Sequence, residues 1–355
     1  MNKIHTHGNP FRKALLIDPI NELDRAIKRA RSLSLPRIKK PYLVRYKILI
    51  LNRIETIKSQ LVARFSSFIE SIPSINSIHE FYRAIIDIYY SVDKLKKQLG
   101  RISGSMRVIE KLSNEYKKYV RSIRQTRYTT ERETINHIRT LWRQYLSRLV
   151  SFLHEIKDAF YKVNELIKKL KNLPDYNPEL KTVVVCGPPN SGKSSLVSAL
   201  SNAKVEIAEY PFTTKNLVFG HIELKTIPPK IIQIVDSPGL FDRPISERKP
   251  EELLALEAIR TIANCIIFLF DCSIECTLGF REQINIYRDV ASFFRGRGFI
   301  VAINKIDIHD QPLKEKIVTF LKSEHIDPLF ISAKYKIGLD TLLDEIKKVL
   351  LVEEG

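Results

Sequence analysis

The chain has 355 residues, 44% of them hydrophobic, and a formal net charge of +18. This length accommodates two domains with separate cores, and the low glycine and proline content excludes a disordered chain. No apolar run approaches the roughly 18 residues of a membrane-spanning helix. The N-terminus also lacks the apolar core of a secretion signal, so we expect a cytoplasmic protein.

The positive charge is confined to one half of the chain. Residues 1–180 hold 36 Lys/Arg and 17 Asp/Glu, a net +19, whereas residues 181–355 hold 22 and 23, a net −1. Such asymmetry predicts two domains with different partners, of which the first meets a polyanion. We place a basic helical domain at 1–174, a linker at 175–180 and a second domain at 181–355.

The basic half has the periodicity of long helices. Apolar residues recur at three- and four-residue steps from Thr130 to Pro174, a stretch without an internal proline or glycine. The same pattern runs through 42–72 and through 78–124, where we expect breaks between Tyr90 and Gly104. Thr130 and Glu133 have the spacing of a capping box before the last helix. Three or more long helices with short connections predict an antiparallel bundle.

Two runs of basic residues in this half contain no acidic residue, and this favours phosphate contact over ordinary solvated helix faces. An anionic membrane surface and a solvated face remain alternatives. RNA is favoured over DNA only weakly, and no known recognition motif is visible. The predicted RNA-contacting residues are Arg25, Lys28, Arg29, Arg31, Arg37, Lys39, Lys40, Arg45 and Lys47 in the first run, and Lys117, Lys118, Arg121, Arg124 and Arg127 in the second.

The neutral half alternates short β-branched runs with helical stretches. This alternation predicts a mostly parallel sheet with helices on both faces, and it places the chemistry at the carboxyl ends of the strands. The predicted strands are 182–186, 231–235, 265–270, 299–303 and 329–331.

A glycine-rich phosphate-binding loop follows the first of these strands and opens a helix near Ser194. Its glycines let backbone N–H groups surround phosphate oxygens, and the helix N-terminus adds a positive dipole. Lys193 is expected to reach the β- and γ-phosphates, and Ser194 to bind Mg²⁺. The predicted contacts in this loop are Gly187, Pro188, Pro189, Asn190, Ser191, Gly192, Lys193, Ser194 and Ser195.

The base is predicted to be guanine. Asp307 can accept hydrogen bonds from guanine N1–H and its 2-amino group, which adenine lacks, so an unpaired carboxylate would reject ATP. Asn304 is expected to hold the base edge and the neighbouring loops, and the stem of Lys305 to cover the ring. Backbone N–H groups of Ser332, Ala333 and Lys334 fit a reader of the guanine carbonyl. GTP or GDP is therefore the expected ligand.

Two further segments resemble nucleotide-dependent switches. Asp236 follows a strand and should hold Mg²⁺ through water, and the Gly239 backbone N–H should contact the γ-phosphate. Thr213 or Thr214 should ligate Mg²⁺ while that phosphate is present, and we favour Thr214. Lys193, Thr214 and Gly239 are thus the predicted catalytic contacts. Leu240 stands where a polar residue usually orients the attacking water, so slow intrinsic GTP hydrolysis is expected.

The quoted segments GPPNSGKSSLVSALSNAK, EIAEYPFTTKNLVFGH, DSPGLFDRP and NKID resemble the Obg superfamily of GTPases. Together with NPFRK, IPSINSIHEFYRAIIDI, VDKLKKQLG and NPEL, they look closest to its nucleolar GTP-binding protein (Nog) branch in a short archaeal form. The resemblance covers nearly the whole chain. It departs at Pro188, Ser191, Ser237 and Cys272, which leaves the fine kinetics open. Asn190 resembles a potassium ligand of related GTPases, so K⁺ is a candidate cofactor beside Mg²⁺.

The resemblance implies assembly of the large ribosomal subunit, with the helical domain on ribosomal RNA, as the charge distribution predicts independently. Two alternatives stay open: an RNA-binding scaffold that holds GTP structurally, and an Obg-like regulator of stress or translation that binds protein partners. We expect a ribosome-associated protein without DNA or a membrane as partner. No feature of the sequence requires an oligomer.

Overall fold

A computed structural model describes residues 8–126, 130–173, 175–201, 206–208, 217–224, 229–237, 241 and 245–351. The chain forms two compact units. A helical unit comprises Pro10–Ser77 and Tyr90–Lys171. A sheet unit comprises the described part of Met1–Asn9 together with Ile78–Tyr89 and Asn172–Gly355.

The helical unit is built on four helices. They are α1 (Pro19–Arg31), α2 (Tyr42–Glu70), α4 (Val92–Ser122) and α5 (Glu131–Lys171). Helix α1 packs on α2 and α5, α2 packs on α4, and α4 packs on α5. The core includes Phe160, whose ring centroid lies 4.7 Å from that of Phe65 and 5.4 Å from that of Phe68. The predicted helical bundle is therefore confirmed.

Local signals set the ends of these helices. Thr130 and Glu133 form the predicted capping box: Thr130 N–H donates to Glu133 Oε2 (2.8 Å), and Glu133 N–H donates to Thr130 Oγ1 (3.2 Å). The expected break after Tyr90 occurs at Ser91, which has φ +80°. It does not extend to Gly104, which lies inside α4 with open space around it.

The sheet unit contains a seven-stranded sheet in the order β2-β3-β4-β1-β5-β6-β7. The strands are β1 (Thr182–Cys186), β2 (Glu206–Ala208), β3 (Leu217–Leu224), β4 (Lys230–Asp236), β5 (Cys265–Asp271), β6 (Gly298–Asn304) and β7 (Leu329–Phe330). Strands β4, β1, β5, β6 and β7 are parallel, and β3 runs antiparallel to β4 and to β2. The predicted, mostly parallel sheet is confirmed, and β2 and β3 are additional to the five predicted strands.

Helices accompany this sheet along the chain. They are α3 (Glu80–Tyr89), α6 (Lys193–Leu200), α7 (Pro250–Ile262), α8 (Phe280–Phe293), α9 (Gln311–Ser323) and α10 (Leu339–Leu351). Among the described helices of the chain, no helix is both long and apolar enough to cross a bilayer.

The division into units differs from the expected boundaries at 174 and 180. Helix α3, which we placed in the basic domain, packs on α7 of the sheet unit. In the expected linker, Tyr176 is buried, and its ring contacts those of Phe81 and Tyr82. The buried side chain of Gln233 on β4 exchanges two hydrogen bonds of 2.9 Å with the backbone of Asn177. A buried amide needs such partners, and this explains why the segment is packed rather than free.

Candidate functional site

The phosphate-binding loop leaves β1 at the sheet centre and wraps tightly before α6. Gly187 has φ +145°, and a Cβ there would lie 2.5 Å from the Leu269 carbonyl oxygen. Gly192 has φ +92°, and a Cβ there would collide with the Asn304 amide. Asn190 adopts the left-handed region at φ +60° and is exposed. Both glycines are therefore required by backbone conformation and by close neighbours.

Lys193 is buried and folds back over this loop. Its Nζ donates to the carbonyl oxygens of Gly187 (2.9 Å) and Pro188 (2.7 Å). The Ser191 hydroxyl is buried and has no hydrogen-bond partner among the described residues. An ammonium group and an unsatisfied hydroxyl within one loop are suited to an anionic ligand that accepts hydrogen bonds, such as phosphate.

Ser194 and Asp236 meet because β1 and β4 are adjacent and parallel, with Val185 opposite Asp236. The Ser194 hydroxyl donates to Asp236 Oδ2. A serine hydroxyl and a carboxylate are hard oxygen donors of the kind that Mg²⁺ prefers, so this pair fits the metal role predicted for it. Ser195, the next residue, is exposed on the first turn of α6.

The predicted switch residues Thr213, Thr214, Gly239 and Leu240 lie outside the described residues. Ser237, the last described residue before Gly239 and Leu240, donates its hydroxyl to the Val185 carbonyl (2.7 Å). A serine thus supplies the hydroxyl at this position, where the resembled family usually has threonine.

Asn304 ties the phosphate-binding loop to the last loop of the sheet edge. Its Nδ2 donates to the Ser191 carbonyl (2.7 Å), and its Oδ1 accepts from Ala333 N–H (3.0 Å). The backbone carbonyl of Asn304 accepts from the Cys272 thiol (3.2 Å). Burial raises the pKa of that thiol to about 11, so it remains a protonated donor. Asn304 thereby holds three loops in register.

The residues predicted to read guanine follow Asn304 and β7 in the chain. Asp307 is exposed, and its carboxylate forms no hydrogen bond or ion pair with any described residue. The Ser332 hydroxyl accepts from Tyr335 N–H (3.3 Å), and Lys334 is exposed with its Nζ 5.3 Å from the Tyr335 ring centroid. Because Ala333 N–H is already bonded to Asn304, the backbone N–H of Lys334 becomes the better candidate reader of the guanine carbonyl.

Asp271 is a residue of this site that the sequence analysis missed. It ends β5 and is 1% exposed, and its Oδ2 forms an ion pair with Lys305 Nζ at 2.7 Å. Its other oxygen accepts from Ser273 N–H (2.8 Å). Lys305 has φ +61°, so both its backbone and its side chain are constrained. An acidic residue closing a strand of buried apolar residues is the signal that could have marked Asp271.

The structure divides the predicted RNA-contacting residues into two groups. Arg45 Nε donates to the Pro36 carbonyl (2.9 Å), Lys47 Nζ donates to the Ile123 carbonyl, and Lys117 Nζ pairs with Glu55 (2.6 Å). These three are half-buried and stabilise the helical unit. Arg127 lies outside the described residues. The exposed members are Arg25, Lys28, Arg29, Arg31, Arg37, Lys39, Lys40, Lys118, Arg121 and Arg124.

The two basic runs, distant in sequence, meet at one end of the helical unit. The bond from Lys47 to Ile123 brings the start of α2 to the end of α4. The pKa of Lys47 is lowered by burial and, secondarily, by the charge of Arg124. Cations of both runs therefore share one surface.

Two family models match the chain, one on each half. The model described as the NOG1 N-terminal helical domain matches residues 11–176, and the model of a 50S ribosome-binding GTPase matches residues 182–305. An uncharacterised protein of Methanocaldococcus jannaschii is 33% identical over 307 residues, which cover 86% of this chain and 83% of that protein. The chain belongs to the nucleolar GTP-binding protein 1 (Nog) family. The predicted family, a GTP-binding one, is confirmed.

Relatives named nucleolar GTP-binding protein 1 include proteins much longer than this chain. Nucleolar GTP-binding protein 1 of Caenorhabditis elegans is 27% identical over 305 residues, which cover 85% of this chain but 43% of the nematode protein. The crystal structure of a candidate nucleolar GTP-binding protein 1 from Plasmodium falciparum is 32% identical, with a TM-score of 0.41. It covers 51% of this chain and 96% of the solved one. The chain thus spans less than half of the nematode relative.

Proposed function

We propose that the chain is a guanine-nucleotide switch that hydrolyses GTP slowly and acts in assembly of the large ribosomal subunit. The observation that carries the nucleotide part is the Asn304 bridge. One side chain joins the phosphate-binding loop to the loop that reads the base, so phosphate and guanine contacts share one rigid frame.

Within this proposal Asp307 selects the base, because its free carboxylate matches the two N–H donors of guanine and none of adenine. Lys193 exchanges its carbonyl contacts for the phosphates. Ser194, Asp236 and Thr214 would hold Mg²⁺, which supplies charge neutralisation on the phosphates when bound. Leu240 has no polar group to orient water, and this is the basis for slow turnover without a partner.

The proposed potassium role of Asn190 is separable from this scheme. Asn190 is exposed on the phosphate-binding loop and has a left-handed backbone, so its side chain is accessible to a ligand. Turnover compared in potassium and in sodium salts tests it, and equal rates would remove K⁺ from the proposal.

The ribosomal part is supported by the basic surface of the helical unit and by the description of the matching GTPase model, a 50S ribosome-binding GTPase. Exposed cations without acidic neighbours bind RNA phosphates in a salt-dependent way. We therefore place the chain on precursor large-subunit particles, with ribosomal RNA as the contact of the helical unit.

Co-sedimentation with large-subunit precursor particles tests the proposal. We expect binding with a non-hydrolysable GTP analogue, weaker binding with GDP, and loss of this difference in Lys193→Ala. A Lys168→Ala variant is the matched control, since Lys168 pairs with Glu165 on the surface of α5. Equal binding in all nucleotide states would instead favour a scaffold with structural GTP. Binding that survives neutralisation of Arg37, Lys39 and Lys40 would favour a regulator with protein partners.

A further inference from the structure

An exposed aromatic stack lies within the basic surface of the helical unit. Tyr42, in the first turn of α2, keeps 44% of its surface exposed. Its ring stacks on that of Tyr46, with centroids 6.1 Å apart and planes inclined by 19°. The Arg139 guanidinium of α5 lies over the Tyr46 ring, 5.9 Å from its centroid. A partly exposed ring in such a stack can accept a further planar group.

Three cations precede this ring in a short, fixed segment. Arg37, Lys39 and Lys40 are all exposed, and none has an ion-pair partner among the residues that the structure describes. The segment is held by the bond from Arg45 Nε to the Pro36 carbonyl and by the turn from Lys40 N–H to the Ile38 carbonyl (2.9 Å). The backbone that carries these three charges is therefore held close to Tyr42 in the chain.

Further cations lie near the stack. Arg139 lies over the Tyr46 ring, and Lys47, the residue after Tyr46, donates to the carbonyl of Ile123, which precedes Arg124 in the chain. Glu131 is an acidic side chain that reaches the start of α2, and it accepts a hydrogen bond from Leu43 N–H (3.1 Å). Its acceptor capacity is thus partly used inside the unit, and the surface stays strongly attractive to anions.

Exposure alone does not distinguish Tyr42 from other tyrosines of this unit. Tyr161 on α5 is 61% exposed, but its basic neighbours are paired: Lys162 with Asp158 and Lys168 with Glu165, each at 2.7 Å. Tyr42 combines an exposed ring, an aromatic support and unpaired cations. This combination is what proteins use to bind single-stranded nucleic acid, because the cations follow the backbone while the ring stacks on a base.

We infer that Tyr42 is a stacking platform for an unpaired RNA base, with Arg37, Lys39 and Lys40 binding the phosphates beside that base. The inference rests on the RNA contact proposed above and narrows it to a single-stranded or bulged segment. A continuous duplex keeps its bases stacked on one another and offers only backbone and groove. An exposed aromatic ring gains little from such a surface.

The test uses the 355-residue chain and two RNA probes. One is a single strand of about 12 nucleotides, within the range that such surfaces cover, with a central 2-aminopurine. The other is a blunt duplex of about 16 base pairs. Affinities of wild type, Tyr42→Leu, Tyr42→Phe and Tyr161→Leu are measured over a range of salt concentrations, and the 2-aminopurine emission reports stacking directly.

We expect Tyr42→Leu to bind the single strand about tenfold more weakly with an unchanged salt slope, since a stacked base and no phosphate contact is lost. Its duplex affinity should be unchanged, and it should lose the 2-aminopurine quenching. Tyr42→Phe should retain both the affinity and the quenching, and Tyr161→Leu should behave as wild type.

Failure of this inference is distinguishable from failure of the proposed function. If wild type binds neither RNA, the proposed RNA contact itself is wrong. If wild type binds RNA but Tyr42→Leu has unchanged affinity for the single strand, the stacking role alone is overturned. The same holds if Tyr42→Leu loses affinity equally for the single strand and the duplex. Binding to phosphatidylserine vesicles that competes with RNA and is lost in Tyr42→Leu would also overturn it, in favour of a membrane surface.

Discussion

The two units of the molecule hold their candidate functional residues in opposite ways. In the sheet unit these residues are bonded to one another: Asn304 bridges two loops, Ser194 meets Asp236, and Lys305 meets Asp271. In the helical unit the exposed cations Arg37, Lys39 and Lys40 have no ion-pair partner among the described residues. A site for one small ligand gains from preorganised geometry, whereas a surface for a long polyanion acts through summed charge. Single substitutions should therefore have large, specific effects in the first unit and small, additive effects in the second.

The largest effect is expected from Asp307→Asn. An amide in place of the carboxylate keeps one uncharged acceptor and turns its NH2 toward the 2-amino donor of guanine, so GTP affinity should fall about 100-fold. The same amide can donate to the 2-carbonyl of xanthine, so XTP affinity should rise. Nucleotide titration measures both, and RNA affinity should not change. A loss of GTP binding with no gain for XTP would indicate damage to the fold instead of a change of base specificity.

Asp271→Asn tests whether the buried carboxylate positions Lys305. The substitution keeps the shape and removes the charge that holds Lys305 Nζ, so guanine-nucleotide affinity should fall about tenfold. Loss of affinity for both GTP and GDP is expected, because Lys305 serves the base and not the γ-phosphate. Asp327→Asn is the control, since Asp327 is exposed. Nucleotide affinity should be the same in Lys305→Ala as in the double variant Lys305→Ala/Asp271→Asn. If the two affinities differ, Asp271 acts on the nucleotide by a route other than Lys305.

Neutralising Lys39 and Lys40 tests the additive behaviour of the basic surface. The double alanine variant should bind single-stranded RNA about fivefold more weakly, and the slope of log affinity against log salt should decrease by about 1.4. Nucleotide affinity should stay unchanged. The matched variant Lys162→Ala/Lys168→Ala, which removes two paired lysines, should change the slope less. Equal slopes for the two variants would show that pairing does not decide which cations contact RNA.

The smallest effect is expected from Glu55→Gln in the helical unit. Hydrogen bonds from Lys117 and Lys58 lower the pKa of Glu55, so its contribution to stability is present above the ordinary glutamate pKa and is lost as pH falls through the lowered value. The variant should lose about 0.5 kcal/mol at neutral pH and nothing at strongly acidic pH. Denaturant unfolding at both pH values measures this. RNA affinity should rise slightly, because Lys117 is released.

Fixed spacing made the nucleotide site predictable. The phosphate-binding loop, Asn304–Asp307 and Ser332–Lys334 each follow a strand, and parallel strands end at a common edge, so their convergence follows from topology. Asp271 escaped prediction because its partner is 34 residues away and no local pattern joins them. The bond from Ala333 N–H to Asn304, which removes Ala333 as a candidate reader of guanine, likewise joins two residues 29 positions apart.

In the basic half, the helices were predictable from the sequence, but the elements that they pack on were not. Periodicity located its long helices to within a few residues, but it also assigned α3 to this half, although α3 packs on α7. Amphipathic spacing shows that a helix has an apolar face and not which element covers that face. The packed segment at 175–180 was missed for the same reason, since burial of Tyr176 and the Gln233 bonds involve distant parts of the chain.

Sequence by itself determined the family, the nucleotide and the position of the positive charge, because each depends on residue type at short spacing or on composition. Tertiary structure alone decided which cations are free and which are bonded, which lysine of the site is held by a buried acid, and that Arg139 of α5 lies over the Tyr46 ring. Those properties depend on distance, burial and partner choice between residues far apart in the chain, and no local pattern encodes them.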